Sequence, residues 1–415
     1  MSRWIKSGLM ILTTLAITPV IPVLAQANAD CFLYGDHSNG AKYCITMPPP
    51  PPFGTWNGDL VIFAHGYVSV NEPVDIPWSQ MIFSDGAGGV ITMPFLVNSM
   101  GYAFATTSYS ENGLVVKQGI VDILDLIDVF EAQVGAPNRI YLVGASEGGL
   151  VTTLAIERHP AAFTGGLATC GPIGSFRGQV DYWGDFRVVF DYFMDTPDLN
   201  VLPGNAVSIP ASLMNKWDSV YIPRIGDVLA VNPLNTQQLL SVTGAPIDPS
   251  NPATIGETTV GILWYNVFAT EDAIKKLGGQ PFDNRDRVYI GSLDDTLLNA
   301  GVKRFNAKAA ALEEIANNYE TWGVITRPLV AMHTTGDPIV PYWHQLLYGE
   351  KVLANNPSSP YLAVEINRYG HCSFTLPEIV TGFGNLVFMS TGQLPPTPPF
   401  LLEAGLQAEA YELAP

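Results

Sequence analysis

Short apolar runs alternate with helical stretches along this chain, and that alternation restricts its fold more than any other feature. The runs 59–65 (DLVIFAH), 102–109 (YAFATTSY), 139–143 (RIYLV), 163–169 (FTGGLAT), 328–333 (PLVAMH) and 361–366 (YLAVEI) read as strands. The continuous ones have the pattern of strands buried on both faces. Between them, 121–134 carries helical spacing. Ile123, Leu126, Ile127, Phe130 and Val134 fall on one face, and its acids are expected to point elsewhere. Residues 147–158 read as a helix stopped by Pro160, and 343–353 as another. Strands joined through helices need crossover connections, which give a mostly parallel sheet covered on both faces, an α/β fold.

The rhythm is lost between 173 and 322. This region is rich in aromatic residues, among them Tyr182, Trp183, Tyr192, Trp217, Trp264, Tyr265 and Phe268, and it carries a helical stretch at 307–319. It reads as a large, mainly helical cap inserted after the sixth strand; a separate domain with its own role is the alternative. The expected organisation is a signal peptide at 1–29, a core at 30–172 and 323–415, and the cap at 173–322. Proline runs at 48–52 and 395–399 are expected to be stiff extended connectors.

Charged residues make up only 14% and apolar ones 47%, which excludes a disordered chain. The net charge of −18 sets the molecule against phosphate backbones and anionic membrane surfaces, so nucleic acid is excluded as a partner. The one long apolar stretch is N-terminal. Arg3 and Lys6 precede the apolar residues 8–25, which Pro19 and Pro22 interrupt, and small-x-small sites follow at 25–27 and 27–29. That is the pattern of a cleaved export signal, with an uncleaved anchor as the alternative. The expected location is therefore secreted or periplasmic, without stable membrane insertion, in an oxidising compartment. Four cysteines allow three pairings. Cys31 and Cys44 flank a turn-rich segment, so Cys31–Cys44 is the simplest local bridge, which leaves Cys170–Cys372. No closely spaced Cys/His set suggests a zinc site.

The chemistry centres on Gly144-Ala145-Ser146-Glu147-Gly148-Gly149. G-x-S-x-G alone is a weak signal, but an apolar strand leads in and a helix leads out. So sharp a turn forces the serine into strain, exposes its hydroxyl beside a helix N-terminus, and leaves no room for neighbouring side chains. A serine hydroxyl needs a base, and the base an orienting acid. Of the six histidines, His371 follows a strand in a short loop, while Asp337 lies just past the strand 328–333. The order Ser146, Asp337, His371 suits a sheet of this type, with each residue past a strand's C-terminal edge.

Taken together, His65-Gly66-Tyr67 after an early strand, GASEGG at the turn, TTGDPIVP around the acid and YGHC at the base resemble the α/β-hydrolase superfamily. Within it the chain is similar to secreted serine esterases and prolyl-oligopeptidase-like hydrolases with an inserted cap. The resemblance implies an oxyanion hole from the backbone N–H groups of Tyr67 and Glu147. It makes His65 a loop-shaping residue rather than the base, and the Glu147 carboxylate a cap for its own helix. Tannase and feruloyl-esterase relatives staple the histidine loop through a cysteine directly before the serine. Here Ala145 stands there, and a Cys170–Cys372 bridge would pin the loop from the neighbouring strand instead. The implied reaction is hydrolysis of small or oligomeric carboxylic esters through an acyl-enzyme, with no metal or organic cofactor. Alternatives are a peptidase and a non-catalytic binding protein. Glu257 and Arg285 are candidates for holding a charged peptide terminus.

Overall fold

The computed structural model describes residues 31–50, 54–84, 89–195, 200–398 and 400–401. The N-terminal segment read as a signal peptide and parts of both proline runs lie outside the described residues. Eight strands form the main sheet: β1 Leu33–Asp36, β2 Lys42–Thr46, β3 Asp59–Ala64, β4 Ala103–Thr107, β5 Arg139–Ala145, β6 Gly165–Thr169, β7 Leu329–Gly336 and β8 Tyr361–Tyr369. Their spatial order is β1-β2-β4-β3-β5-β6-β7-β8. Within this sheet, among the described residues, only the pairs β1–β2 and β2–β4 are antiparallel. From β4 through β8 every pair is parallel, as the strand–helix rhythm requires.

Strand β3 shows why its run is continuously apolar. Leu60, Ile62 and Ala64 enter one core cluster, while Val61 and Phe63 enter another on the opposite face. The first face is covered by α2 (Val116–Gln133), α3 (Glu147–Arg158) and α11 (Trp343–Asn355); the second by α1 (Met93–Ser99) and α12 (Leu376–Thr391). Helix α2 begins before the expected residue 121 and buries Ile123, Leu126, Ile127 and Phe130 as its spacing predicts.

One expectation for α2 fails. Asp122 does not point away but is fully buried. Its Oδ2 accepts hydrogen bonds from the Ser110 N–H and hydroxyl, and its Oδ1 from the side-chain amides of Asn39 and Gln118. Four donors explain how an acid sits inside.

Between β6 and β7 the chain builds seven α-helices and a π-helical turn at Trp217–Tyr221 within the described residues: α4 Phe176–Met194, α5 Ala211–Asn215, α6 Ile222–Val231, α7 Pro233–Thr243, α8 Thr254–Lys276, α9 Asp295–Gly301 and α10 Ala309–Asn318. Phe186, Phe190, Leu213, Trp217, Ile225, Ile262, Leu263 and Phe282 form a core of their own here, joined by Ile339 and Val340 from the loop after β7. Helix α10 packs instead into the body through Ala311 and Ile315. Arg187 is fully buried in α4, where its Nε donates to Asp191 Oδ1 at 2.6 Å and its Nη2 to the Leu202 carbonyl. No helix among the described residues is long and apolar enough to cross a membrane.

Candidate active site

Strand β5 ends at Ala145 and α3 starts at Glu147, so Ser146 alone makes the turn. Its φ of 57° and ψ of −123° are strained for a residue with a side chain. The Ser146 N–H donates to the Thr169 carbonyl at 2.9 Å, and its own carbonyl accepts from Gly149 N–H, so both sides of the kink are held. The glycines answer to close approach. A Cβ on Gly144 would collide with the Gly148 carbonyl, and one on Gly148 with the Ala64 carbonyl.

Asp337 stands just beyond β7 and is 0% exposed. Its Oδ1 accepts the N–H groups of Ile339 and Val340 at 2.9 and 3.0 Å, which fixes the carboxylate plane. Its Oδ2 lies 2.7 Å from His371 Nδ1, where the ring nitrogen is the donor because a carboxylate oxygen accepts. That tautomer leaves Nε2 as an acceptor, and Ser146 Oγ stands 2.9 Å from it with its hydroxyl donating. Ser146, His371 and Asp337 thus form one hydrogen-bonded line across three strand ends. His333, four residues before Asp337 on β7, is buried; burial pushes its imidazole below the ordinary range, and its Nε2 donates to the Val340 carbonyl.

The imidazole is aimed by its loop. Strand β8 runs past its expected end at 366, and its register against β7 shifts between Ile366 and Tyr369, an irregularity that redirects the chain. Gly370 N–H donates to the Gly336 carbonyl at 3.1 Å, and Thr334 Oγ1 donates to the Gly370 carbonyl at 2.6 Å. Arg368 clamps the far side through a bidentate pair with Glu378 and a bond to the Ser373 carbonyl. Cys372 is bridged to Cys170, across 202 residues of sequence. Cys170 directly follows Thr169, which pairs with Ala145. The bridge therefore reaches the histidine loop from the strand beside the serine. Cys31 and Cys44 form the second bridge. Cys170, His371 and Cys372 bring donor atoms within 4.8 Å of one another, but the two sulfurs are bonded together and are not thiolate ligands.

The loop His65-Gly66-Tyr67 packs directly on the serine: a Cβ at Gly66 would lie 3.1 Å from Ser146 Cβ. Gln80, which sequence reasoning missed, holds this loop by accepting from Gly66 N–H at 2.7 Å and donating to the Tyr67 carbonyl at 3.3 Å. His65 is buried, with Nδ1 2.7 Å from the Gly66 carbonyl, and it stacks on Tyr109 at 3.9 Å. Burial pushes its imidazole down to about 4. It shapes the loop and stands apart from the serine–histidine line.

Glu147 corrects an expectation. Its carboxylate does not cap its own helix. Oε1 instead accepts the Val115 N–H at the start of α2, at 2.9 Å. The side chain is buried, and burial pushes its carboxyl up to about 8, against the smaller lowering effects of the Val115 N–H and Lys276. Nothing in the residue spacing signals this, because the partner is thirty-two residues away.

Beneath the helices between β6 and β7, Ser146, Glu147 and Tyr67 border a largely apolar cavity. Trp183, Tyr265 and Phe282 from the insertion and Val340 from the β7–α11 loop line it. Trp183 stacks on Tyr265 with ring centroids 4.8 Å apart, and Tyr67 meets both Trp264 and Tyr265 edge-on. Helix α8 turns its Tyr265, Asn266, Ala269, Thr270 and Ala273 face to the cavity, and the two alanines leave it open. Glu257 and Arg285 are both exposed and away from this wall; Arg285 is paired with Asp283.

No protein-family model matches the chain, and no curated protein matches it. Some solved structures resemble it weakly. Feruloyl esterase B from Aspergillus oryzae is 13% identical with a TM-score of 0.42, over 87% of this chain and 81% of the other. An esterase of Pyrococcus furiosus is 14% identical with a TM-score of 0.37, over 82% and 84%. Acylaminoacyl peptidase of Pyrococcus horikoshii is 12% identical with a TM-score of 0.39, over 82% of this chain. This chain spans only 37% of that peptidase's length. Likenesses at this level say nothing of a substrate. The strand order, the crossovers and the turn at Ser146 are this chain's own. It has the α/β-hydrolase fold.

Proposed function

We propose that this chain is a serine hydrolase that cleaves carboxylic esters through an acyl-enzyme. The observation that carries the reading is the line Ser146 Oγ–His371 Nε2–Asp337 Oδ2 at the edge of an apolar cavity. Ser146 Oγ attacks the ester carbonyl carbon as His371 Nε2 takes its proton. Asp337 holds the imidazole in the tautomer that can accept, and favours the imidazolium that forms. The Tyr67 and Glu147 amides donate to the developing oxyanion, a contribution typically worth about two to three orders of magnitude in rate per donor. The alcohol leaves with the proton held by His371. Water, deprotonated by the same nitrogen, then releases the acid and restores the serine.

The insertion between β6 and β7 acts as the cap that sets specificity. The cavity's apolar lining favours an ester with an apolar acyl or alcohol part. Two disulfides suit a chain that works outside the cytosol, in keeping with the export signal. A fluorophosphonate probe should label the protein, and p-nitrophenyl butyrate should be turned over. Ser146→Ala should abolish labelling and lower kcat by about 10⁴-fold or more. Labelling that survives this substitution, or turnover confined to aminoacyl nitroanilides, would overturn the reading.

A further inference from the structure

The peptide groups of His65-Gly66-Tyr67 are pinned one after another. In the first, the His65 carbonyl accepts from the Tyr109 hydroxyl at 3.2 Å, and the Gly66 N–H donates to Gln80 Oε1 at 2.7 Å. In the second, the Gly66 carbonyl accepts from His65 Nδ1 at 2.7 Å. In the third, the Tyr67 carbonyl accepts from Gln80 Nε2 at 3.3 Å. The C=O and N–H of a planar trans peptide point in opposite directions, so holding one aims the other. The Tyr67 N–H belongs to the second peptide, whose carbonyl the His65 ring holds. Among the described residues this N–H meets no acceptor. The loop is wedged in place beside the serine: a Cβ on Gly66 would lie 3.1 Å from both the Ala145 carbonyl and Ser146 Cβ, and 3.2 Å from Gln80 Oε1. Tyr67 and Ser146 border the same cavity.

We propose that Gln80 is a positioning residue of the oxyanion hole, which grips the two peptides flanking Gly66–Tyr67 so that the Tyr67 N–H points at the carbonyl oxygen of an ester bound at Ser146. One planar amide does this because it carries an acceptor and a donor side by side, as a neighbouring backbone would. Reversing it would set its NH2 against the Gly66 N–H and its oxygen against the Tyr67 carbonyl, so its orientation is fixed. An aliphatic side chain offers neither bond, and Asn is one methylene too short. The turn that carries Gln80, Trp78–Met81, is itself anchored, since Trp78 and Met81 are buried in the core on one face of the sheet. Gln80 does not line the cavity, so it acts on the reaction through the loop rather than by touching substrate. The inference rests on the serine-hydrolase reading above and deepens it, assigning what aims one of the two oxyanion donors.

Gln80→Met, close in volume, and Gln80→Asn, the milder change should the first not fold, test it on the full chain. Rates are expressed per active site, counted by fluorophosphonate labelling run to completion, so a loss of folded material does not alter them. With p-nitrophenyl butyrate, kcat should fall by about tenfold to a hundredfold while KM changes little, since a donor displaced by about an ångström forfeits much of its effect. A matched pair of inhibitors gives the decisive reading: an alkyl trifluoromethyl ketone and the corresponding methyl ketone. On the first, Ser146 Oγ adds to the carbonyl carbon as its proton passes to His371, which leaves an oxyanion in the hole. The second binds as the unreacted ketone. Affinity for the trifluoromethyl ketone should fall by the same factor as kcat/KM, and affinity for the methyl ketone should stay unchanged. Rates and both affinities within about twofold of the parent would overturn the proposal and leave the hydrolase reading intact. Equal weakening of the two ketones would also overturn it, because Gln80 would then shape the pocket and not the hole. A parent protein that neither turns over the ester nor takes the fluorophosphonate would instead remove the hydrolase reading and this proposal with it.

Discussion

Two buried carboxylates sit a short way from Ser146 in opposite circumstances. Asp337, beyond β7, receives two backbone N–H groups on one oxygen and an imidazole on the other. Glu147, at the start of α3, receives one N–H on Oε1 and, among the described residues, no partner on Oε2. The first is locked in a single orientation. The second is left incomplete on a cavity wall. Rigid, fully partnered polar groups suit a part that must present the same geometry at every turnover. A buried carboxyl with a single donor suits a part that stays uncharged. The rim and the wall of this site are built by these two different rules.

The strongest way to break the contrast is at its satisfied end. Asp337→Asn keeps the volume and an oxygen for the Ile339 and Val340 N–H groups. It turns an amide towards His371 Nδ1, so the ring flips to the tautomer that cannot accept from Ser146. The expected loss in kcat is about 10³–10⁴-fold with little change in KM. Esterase kinetics at fixed pH, with circular dichroism to show an intact fold, checks this. A loss below tenfold would mean that the buried aspartate does not set the tautomer.

Much of the rim was legible in the sequence, and little of the wall was. Strands β3, β5 and β7 are sandwiched between helix layers, so their apolar runs are continuous and end where the sheet ends. The residue that follows each end is then exposed to scrutiny, as Ser146 and Asp337 were. His371 could be found because a strand precedes it and a cysteine follows. Asp122 and the Glu147 carboxylate were misread for one physical reason: each accepts from donors outside its own helix, and periodicity reports only which face a residue occupies. Gln80 was missed because it acts from a short helical turn, Trp78–Met81, on a loop fourteen residues earlier. The helices between β6 and β7 were mostly unreadable, since their core joins elements with no regular order and even borrows Ile339 and Val340 from the sheet body.

The Cys170–Cys372 bridge offers a second, smaller lever on the rim. It ties the histidine loop to the strand beside the serine and closes a loop of 202 residues. Removing it through paired Cys170→Ala and Cys372→Ala substitutions should lower stability by about 2–5 kcal/mol. Activity should fall less than in Asp337→Asn, because Arg368 with Glu378 and the Gly370–Gly336 bond still hold the loop. Thermal unfolding of both proteins, followed by kinetics well below either Tm, separates the two effects. Equal activity would show that the hydrogen bonds alone aim the imidazole.

The gentlest perturbation acts at the unsatisfied end. The Glu147 carboxyl is raised from 4.5 to about 8 by burial, so in this range the folded protein holds a proton that the unfolded chain releases. Stability from this group is complete below about 4.5, declines as the pH rises towards 8, and changes no further above it. Glu147→Gln keeps an acceptor for Val115 N–H and imitates the protonated acid, so it should abolish that decline. The difference in Tm between variant and parent should be near zero at pH 4.5 and favour the variant increasingly up to pH 8. The sign is opposite to that expected for a carboxylate stabilised by its partners. A parent protein whose Tm gains on the variant as the pH rises would mean that Glu147 is charged and satisfied after all, and the contrast between the two carboxylates would collapse.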